Sequence, residues 1–440
     1  MNHSFPSHRR ATYHVPALRI ALLTYSTKPR GSVVHTLELA IALHALGHYV
    51  CVYALDKDGQ GFDRNLPCPV DLITAHPAPA NNMDDLIRQR IQEFVDGLSD
   101  RYEKGHLHYD IFHAQDCLSA NALTELRQRY TKRQTHEPCC NHPVDGDRAP
   151  VVPHLIRTVH HIEDYTSPYL QDCQDRSIRE ADVCICVSQH WQHHLKHHYD
   201  IEAPRVINGI DTERFTPSSN AHYPQEMALR NHLGIQSRPD GLVYLTVGGI
   251  EPRKNSMRLL QAFAQVLNTN PQAQLVIAGG ATLFDYDIYR EEFFAEVERL
   301  GIAIGSSLIL PGVMSDDDLA CLYRVADAFV FPSIKEGWGM VVLEAIASGL
   351  PVMIPNEAPF TEFLGQEQAL WIDPYDVDAI AQSMHSLSNP SLRQSLVSAS
   401  QPVLSHYTWD TSAHLHINHY GNLIQASPLP TSSDVHQSQQ

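Results

Sequence analysis

The chain has 440 residues, 43% of them hydrophobic and 19% charged, which is more than one typical core can hold and predicts two domains with a cleft between them. Lys and Arg total 32 against 50 Asp and Glu, a formal net charge of -18, so a general attraction to nucleic acid or anionic membrane is excluded and any bound anion must be held locally. No apolar run approaches the roughly 20 residues that cross a bilayer, the cysteines are scattered, and MNHSFPSHRR lacks the apolar core of a secretory signal, so a soluble, cytoplasmic, disulfide-free protein is expected.

The elements begin with the apolar strand RIALLTY near Leu18, a polar turn through Gly31, the amphipathic stretch VHTLELAIALHALG and a second strand, YVCVYAL. Strand, turn, helix, strand is the opening of a parallel sheet with crossover helices. Further strands are expected at IFHAQ, HLIRTVH, VCICVS and RVINGI. Adjacent Cys139 and Cys140, with His136 and His142, lie in THEPCCNHPVDGDRAP, which has no Cys-x-x-Cys spacing and reads as a polar loop rather than a metal site. TPSSNAHYPQ reads as a linker. A second series follows, with strands LVYLTVGG, QLVIAGG, SLILPG, AFVFPS and PVMIP alternating with helical patterns. The expected organisation is an α/β chain with Rossmann-like, doubly wound domains at 17–210 and 211–408, a closing helix at 409–426, and disordered ends at 1–16 and 427–440.

Open parallel sheets bind ligands at the carboxyl ends of their strands. In AFVFPSIKEGWGMVVLEAIASGLPV such a strand leads through Glu336, Gly337, Trp338 and Gly339 into a helix that starts near Met340. The glycines let backbone amides approach a ligand, and a helix amino end favours phosphate. Glu336 before the helix and Glu344 one turn inside it can each accept hydrogen bonds from hydroxyls, a spacing that suits a sugar and a ribose flanking a diphosphate. LTVGGIEPRKN places Arg253 and Lys254 after another strand. A unit charge pair at ~4 Å and an effective dielectric of ~20 is worth about 4 kcal/mol, enough to stabilise a leaving diphosphate in place of a metal.

This strand, Glu, glycine loop and second Glu eight positions on resembles the donor motif of the retaining glycosyltransferases of family 4, in the subset with an EPRKN-type loop. The resemblance covers nearly the whole chain and implies the GT-B fold, two Rossmann-like domains facing each other across the active site. By position it gives Glu336 the donor sugar, Glu344 the ribose, and Arg253 and Lys254 the leaving diphosphate; Gly249 stands where the family's usual arginine follows the strand. It also points to His160, at the end of HLIRTVH, as a hydrogen-bond partner of the sugar, with His161 the alternative if the register slips by one. Donor binding is expected from Gly31, Gly337, Trp338, Gly339 and Met340. His113, Asp116 and Glu362 are weaker candidates, open to packing, capping or surface roles. Gly279 and Gly280 suit a tight turn as well as a ligand. Ser188, Asn208, Gly209 and Asp211 suit an interdomain turn, and the five histidines of HWQHHLKHH a solvated helix face.

The implied activity is metal-independent transfer of a sugar, a hexose by preference, from a UDP-, GDP- or ADP-linked donor to an unidentified glycan or lipid-linked acceptor. No cofactor, nucleic acid or transmembrane segment is expected. Two rivals share the architecture. A dinucleotide-dependent oxidoreductase needs G-x-G-x-x-G, which the first turn, TYSTKPRGSVVHT, lacks; a non-catalytic nucleotide-sugar-binding protein would differ in turnover.

Overall fold

A computed structural model describes residues 16–77, 82–136, 151–236, 241–280 and 286–426. Within them each half of the chain builds a parallel six-stranded sheet. The first contains β1 (Arg19–Thr24), β2 (Tyr49–Asp56), β3 (Val70–Thr74), β4 (Ile111–Ala114), β5 (Leu155–Val159) and β6 (Val183–Cys186), in the order β3-β2-β1-β4-β5-β6. The second contains β7 (Val243–Val247), β8 (Gln274–Ala278), β9 (Leu308–Gly312), β10 (Ala328–Val330), β11 (Val352–Pro355) and β12 (Leu370–Ile372), in the order β12-β11-β10-β7-β8-β9. Read from its own first strand, each sheet has the order 3-2-1-4-5-6. The direction of winding therefore reverses between β1 and β4 and between β7 and β10, and the crevices above these two points face ligands.

The strands read as unbroken apolar runs because helices cover both faces of each sheet. On the first sheet, α1 (Gly31–Ala45) buries Val33, Leu37, Leu39 and Leu43 on one face, while α2 (Met83–Glu103), α3 (Cys117–His136) and α4 (Pro168–Arg179) cover the other. Helix α5 (Gln189–Tyr199) follows β6, and α6 (Tyr223–Leu233) opens the second half. That half continues with α7 (Ser256–Thr269), α8 (Asp287–Arg299), α9 (Asp316–Val325), α10 (Met340–Ala347), α11 (Val377–Ser386) and α12 (Pro390–Ser400). The last helix, α13 (Trp409–Ala426), returns to the first sheet, where Trp409, Ala413, Ile417 and Tyr420 join the core under α1.

Several expectations change. RVINGI is not a strand: Arg205 makes one isolated bridge to Cys186, and the chain then turns toward the second half. TPSSNAHYPQ is shorter as a linker than expected, since α6 begins at Tyr223 with a proline in its first turn; only Glu226 and Leu229 are buried there, so the helix reads as polar. Edge strands β3 and β12 were not anticipated, the first because only one of its residues is fully buried, the second because it has three residues. Cys139, Cys140, His142 and the chain ends lie outside the described residues, as does the side chain of His136.

His113, one of the weaker candidates, takes the packing role left open for it. Its Nδ1 contacts the Tyr420 hydroxyl at 2.7 Å and its Nε2 the Thr158 hydroxyl at 2.6 Å, tying α13 to β4 and β5 with no exposed surface. Tyr420→Phe leaves one buried nitrogen unpaired and is expected to cost about 1–3 kcal/mol. The urea midpoint should fall at unchanged slope, and an unchanged midpoint would show that this contact does not anchor α13.

Candidate active site

Arg253 and Lys254 follow β7, and Glu336 follows β10, so the two strands that flank the second sheet's switch point deliver the three side chains to one place. Lys254 donates a hydrogen bond to Glu336 Oε1, Arg253 Nη1 lies 3.5 Å from the same oxygen, and the Ser333 hydroxyl donates to it at 2.7 Å. Burial alone pushes the Glu336 carboxyl up, but Lys254 and Arg253 outweigh it and hold its pKa below the usual value. Burial, then the charge of Arg253, pushes the Lys254 ammonium down. Glu251, which the sequence reading passed over, is 2% exposed and sets its Oε2 2.9 Å from Arg253 Nε. A carboxylate two residues ahead of an arginine that follows a strand was the available signal.

The glycines serve this cluster. Gly248 and Gly249 have φ of 135° and 77°, and a Cβ on Gly248 would lie 2.7 Å from Lys254 Cε. A Cβ on Gly249 would lie 2.7 Å from the Gly280 carbonyl. Gly249, the departure from the resembled family, is therefore what the crossing of this loop over Gly279 and Gly280 requires. Gly337 meets the first domain: a Cβ there would come 2.3 Å from the His160 carbonyl oxygen, so any side chain would push the domains apart. Gly31 has no such constraint, its nearest neighbour being Met340 Cε at 4.0 Å, which places the α1 turn against the start of α10. The Trp338 side chain is a correction to the expected donor site. It is 2% exposed and packs on Phe363, centroids 4.9 Å apart, so only its backbone belongs to the loop.

Glu344 lies inside α10, buried, and accepts a hydrogen bond from the Tyr323 hydroxyl at 2.8 Å. Burial pushes its carboxyl up to about 7, helped by Glu38 and Asp316. Those two acids belong to a charge cluster between the domains. Arg64 reaches Glu38 and Asp316 at 2.6 Å each, and Arg214 reaches Glu38 at 3.1 Å. An open recess of about 270 Å³ beside it is walled by Val33, Val34, Leu37 and Phe62.

From the first domain, His160 Nε2 contacts Gln115 Oε1 at 3.2 Å, and the ring packs edge-on against His35, centroids 4.7 Å apart. Burial and then Arg157 push its imidazole well below the usual range, so it is neutral. His161 turns outward to Glu163 at 3.0 Å, which fixes the register at His160. Glu163 falls to about 2: burial raises it, and the His161 hydrogen bond, Lys335 and Arg253 more than reverse this. Lys335, beside Glu336 in sequence, crosses the cleft to Asp164 at 2.9 Å. Asp116 caps α3, accepting from Ser119 N at 2.8 Å, and accepts from Tyr25 N at 2.8 Å. Glu362 does not face the cleft; it accepts from Gln189 N at 2.7 Å and His190 N at 2.9 Å, capping α5 from the other domain. Ser188 caps the same helix, whose His194 and His198 stack at 4.2 Å on its outer side, and Asn208 accepts the His35 contact at 3.0 Å in the interdomain turn. Among the described residues, no three His, Cys, Asp or Glu side chains converge as a metal site, and no helix is long and apolar enough to cross a membrane.

Comparison with known proteins matches residues 29–214 to the family described as Glycosyltransferase Family 4 and residues 231–401 to that described as Glycosyl transferases group 1. An uncharacterized glycosyltransferase of Methanocaldococcus jannaschii is 25% identical over 426 residues, 92% of this chain and 98% of that one. The serotype-specific mannosyltransferase WbdA of Escherichia coli is 29% identical over 252 residues, 56% of this chain and only 29% of its own length. The structure of Anabaena HepE in complex with UDP-glucose superposes with a TM-score of 0.67 at 18% identity, over 92% of this chain and 100% of that one.

The Glu344 carboxyl gives a stability prediction. Its folded pKa, about 7, lies above the ordinary range of a glutamate carboxyl, so the folded chain binds the extra proton and loses stability as pH rises through that window. Glu344→Gln keeps an acceptor for Tyr323 without the charge, and is expected to be more stable than wild type at pH 8.5, by up to about 3 kcal/mol, and equal at pH 4. Equal urea midpoints at pH 8.5 would refute the assignment.

Proposed function

Because the chain belongs to the GT-B glycosyltransferases matched by these two family models, we propose that it transfers a hexose from a nucleotide-sugar donor with retention of configuration and without a metal. The observation that carries this reading is the Arg253, Lys254 and Glu336 cluster at the second sheet's switch point, closed over by His160 from the first domain.

In this reading the diphosphate lies at the amino end of α10, where backbone N-H groups and the helix dipole meet it. Arg253 and Lys254, paired with Glu336 before the donor arrives, share their charge with the phosphate oxygens, and most strongly as negative charge grows on the leaving oxygen. Glu336 then accepts from the donor sugar's hydroxyls and Glu344 from the ribose. Neutral His160 orients the sugar by a hydrogen bond. Among the described residues the two carboxylates of the cluster, Glu336 and Glu251, are both engaged with cations. We therefore favour front-face displacement: the acceptor oxygen bonds to the anomeric carbon as the carbon-phosphate oxygen bond breaks, and the acceptor's proton passes to the departing phosphate oxygen. HepE, crystallised with UDP-glucose, and the mannosyltransferase relative support a nucleotide-linked hexose.

The first test is thermal stabilisation by UDP, GDP, ADP and their sugar conjugates in EDTA, with NAD as control. A ligand at a hundred times its dissociation constant adds about 2.7 kcal/mol. One nucleotide is expected to stabilise without metal; stabilisation by NAD alone would overturn the reading. With that donor, Glu336→Ala and Arg253→Ala are each expected to abolish transfer while leaving the circular dichroism spectrum intact. Wild-type turnover in either would remove the residue from the mechanism.

A further inference from the structure

The paired strands β4 and β5 carry two successive polar rungs, each joining side chains 45 positions apart in the chain. On the first rung His113 reaches Thr158 at 2.6 Å and Tyr420 takes its other ring nitrogen, so that both nitrogens serve the fold. The second rung lies just past the carboxyl ends of both strands. It joins Gln115 to His160, with Gln115 Oε1 3.2 Å from the ring Nε2.

Gln115 is fully buried, and the contact with His160 is its one side-chain hydrogen bond; its amide nitrogen has no partner among the described residues. A buried amide that is only half satisfied is costly, so stability alone would favour an apolar side chain of the same size. What the glutamine does decide is the state of His160. A carbonyl oxygen only accepts, so the ring proton stands on Nε2 and the lone pair on Nδ1. Nδ1 makes no hydrogen bond to another described residue. Burial, then Arg157, then His161, His113 and His416 hold the imidazole well below its usual range, so near neutral pH it takes no second proton. The remainder of the residue is fixed as well. The ring packs edge-on against His35, whose Nδ1 lies 3.0 Å from Asn208 Oδ1, and the His160 carbonyl lies against Gly337, next to Glu336.

We propose that Gln115 is a positioning residue: it locks His160 in the Nε2-H tautomer, so that Nδ1 accepts a hydrogen bond from a hydroxyl of the donor sugar. The contact with the sugar rests on the donor reading, whereas the tautomer is a property of the ligand-free chain. With the opposite tautomer the ring would present a donor to the sugar, and the hydroxyl it meets would have to accept. Gln115 thus acts through His160 and touches no substrate itself.

NMR of the full chain with ring-15N-labelled histidine reads the tautomer directly at pH 8 without ligand, His160 being assigned as the signal that His160→Ala removes. Wild type is expected to show Nε2-H. Gln115→Glu offers only acceptors in the same place and should keep that tautomer, whereas Gln115→Leu removes the acceptor and should populate Nδ1-H. Isothermal titration with UDP, GDP and ADP, and with UDP-glucose, GDP-mannose and ADP-glucose, then tests the contact with the sugar. Gln115→Leu is expected to weaken the nucleotide sugar about tenfold and the bare nucleotide by no more than about twofold, and to add nothing in a His160→Ala background. Gln115→Glu should bind the nucleotide sugar more tightly than Gln115→Leu does. An Nδ1-H wild type, a tautomer switched in Gln115→Glu or unchanged in Gln115→Leu, or an undiminished loss of affinity in the His160→Ala background would each overturn the proposal. If wild type binds none of the six nucleotides, the donor reading and the sugar contact fall together, and the spectrum still decides the tautomer.

Discussion

Two adjacent cations at the end of a strand, Lys254 buried and Arg253 half-buried, repel each other and shed hydration, and the rest of the second domain answers that cost. Glu336 and Glu251 supply the opposing charge, and Ser333 donates a further hydrogen bond to Glu336. The cluster approaches electrical balance before any ligand enters, which lets Lys254 remain at 9% exposure. Such balance is useful only where an anion will arrive, since a buried ion pair is weak evidence for stability by itself. In the proposed reading, a diphosphate would find its cations already in place and would need only to share them with Glu336.

The backbone around the cluster follows from the same demand. Lys254 can fold back over the end of β7 only if Gly248 has no side chain, and Gly249 passes Gly280 at a distance that excludes a Cβ. Across the cleft, Gly337 lets the His160 carbonyl close over the loop that leads into α10. The loop path thus demands glycine at 249, and the cation stands four residues on, at Arg253.

These relations explain what could be read beforehand. The repeated sheet was legible because its central strands are buried on both faces and spell continuous apolar runs; β3 and β12, at the edges, spell nothing so clear. Arg253, Lys254, Glu336 and His160 stand at strand ends next to glycine or helix starts, and the fold brings them together. Trp338, His113, Asp116 and Glu362 stand in equally suggestive places, yet their surroundings consume them: an aromatic core, Tyr420 and Thr158, a helix cap, and a cap across the domains. A sequence shows which residues reach a strand end but not which partners await them from far along the chain. Glu251, Gln115 and Lys335 were missed for the converse reason, because their importance lies only in what they touch.

The two sides of the interdomain contact differ in kind. Along β6 and α5, Trp191 and Phe215 share one apolar core with Phe331 and Trp338, and the Trp191 ring N-H donates to the Glu336 carbonyl at 3.1 Å. Along α1 and α9 the domains meet through Arg64, Arg214, Glu38 and Asp316, of which Glu38 is buried and the other three are partly open to water, beside the open recess. Partly exposed ion pairs contribute little and are screened by salt, whereas separating the apolar core would expose its full area. Opening is therefore cheaper on the ionic side, the side toward which Glu344 faces through Tyr323 and α9. The joint that holds Glu336 beside the first domain through Trp191 stays packed when the ionic edge loosens.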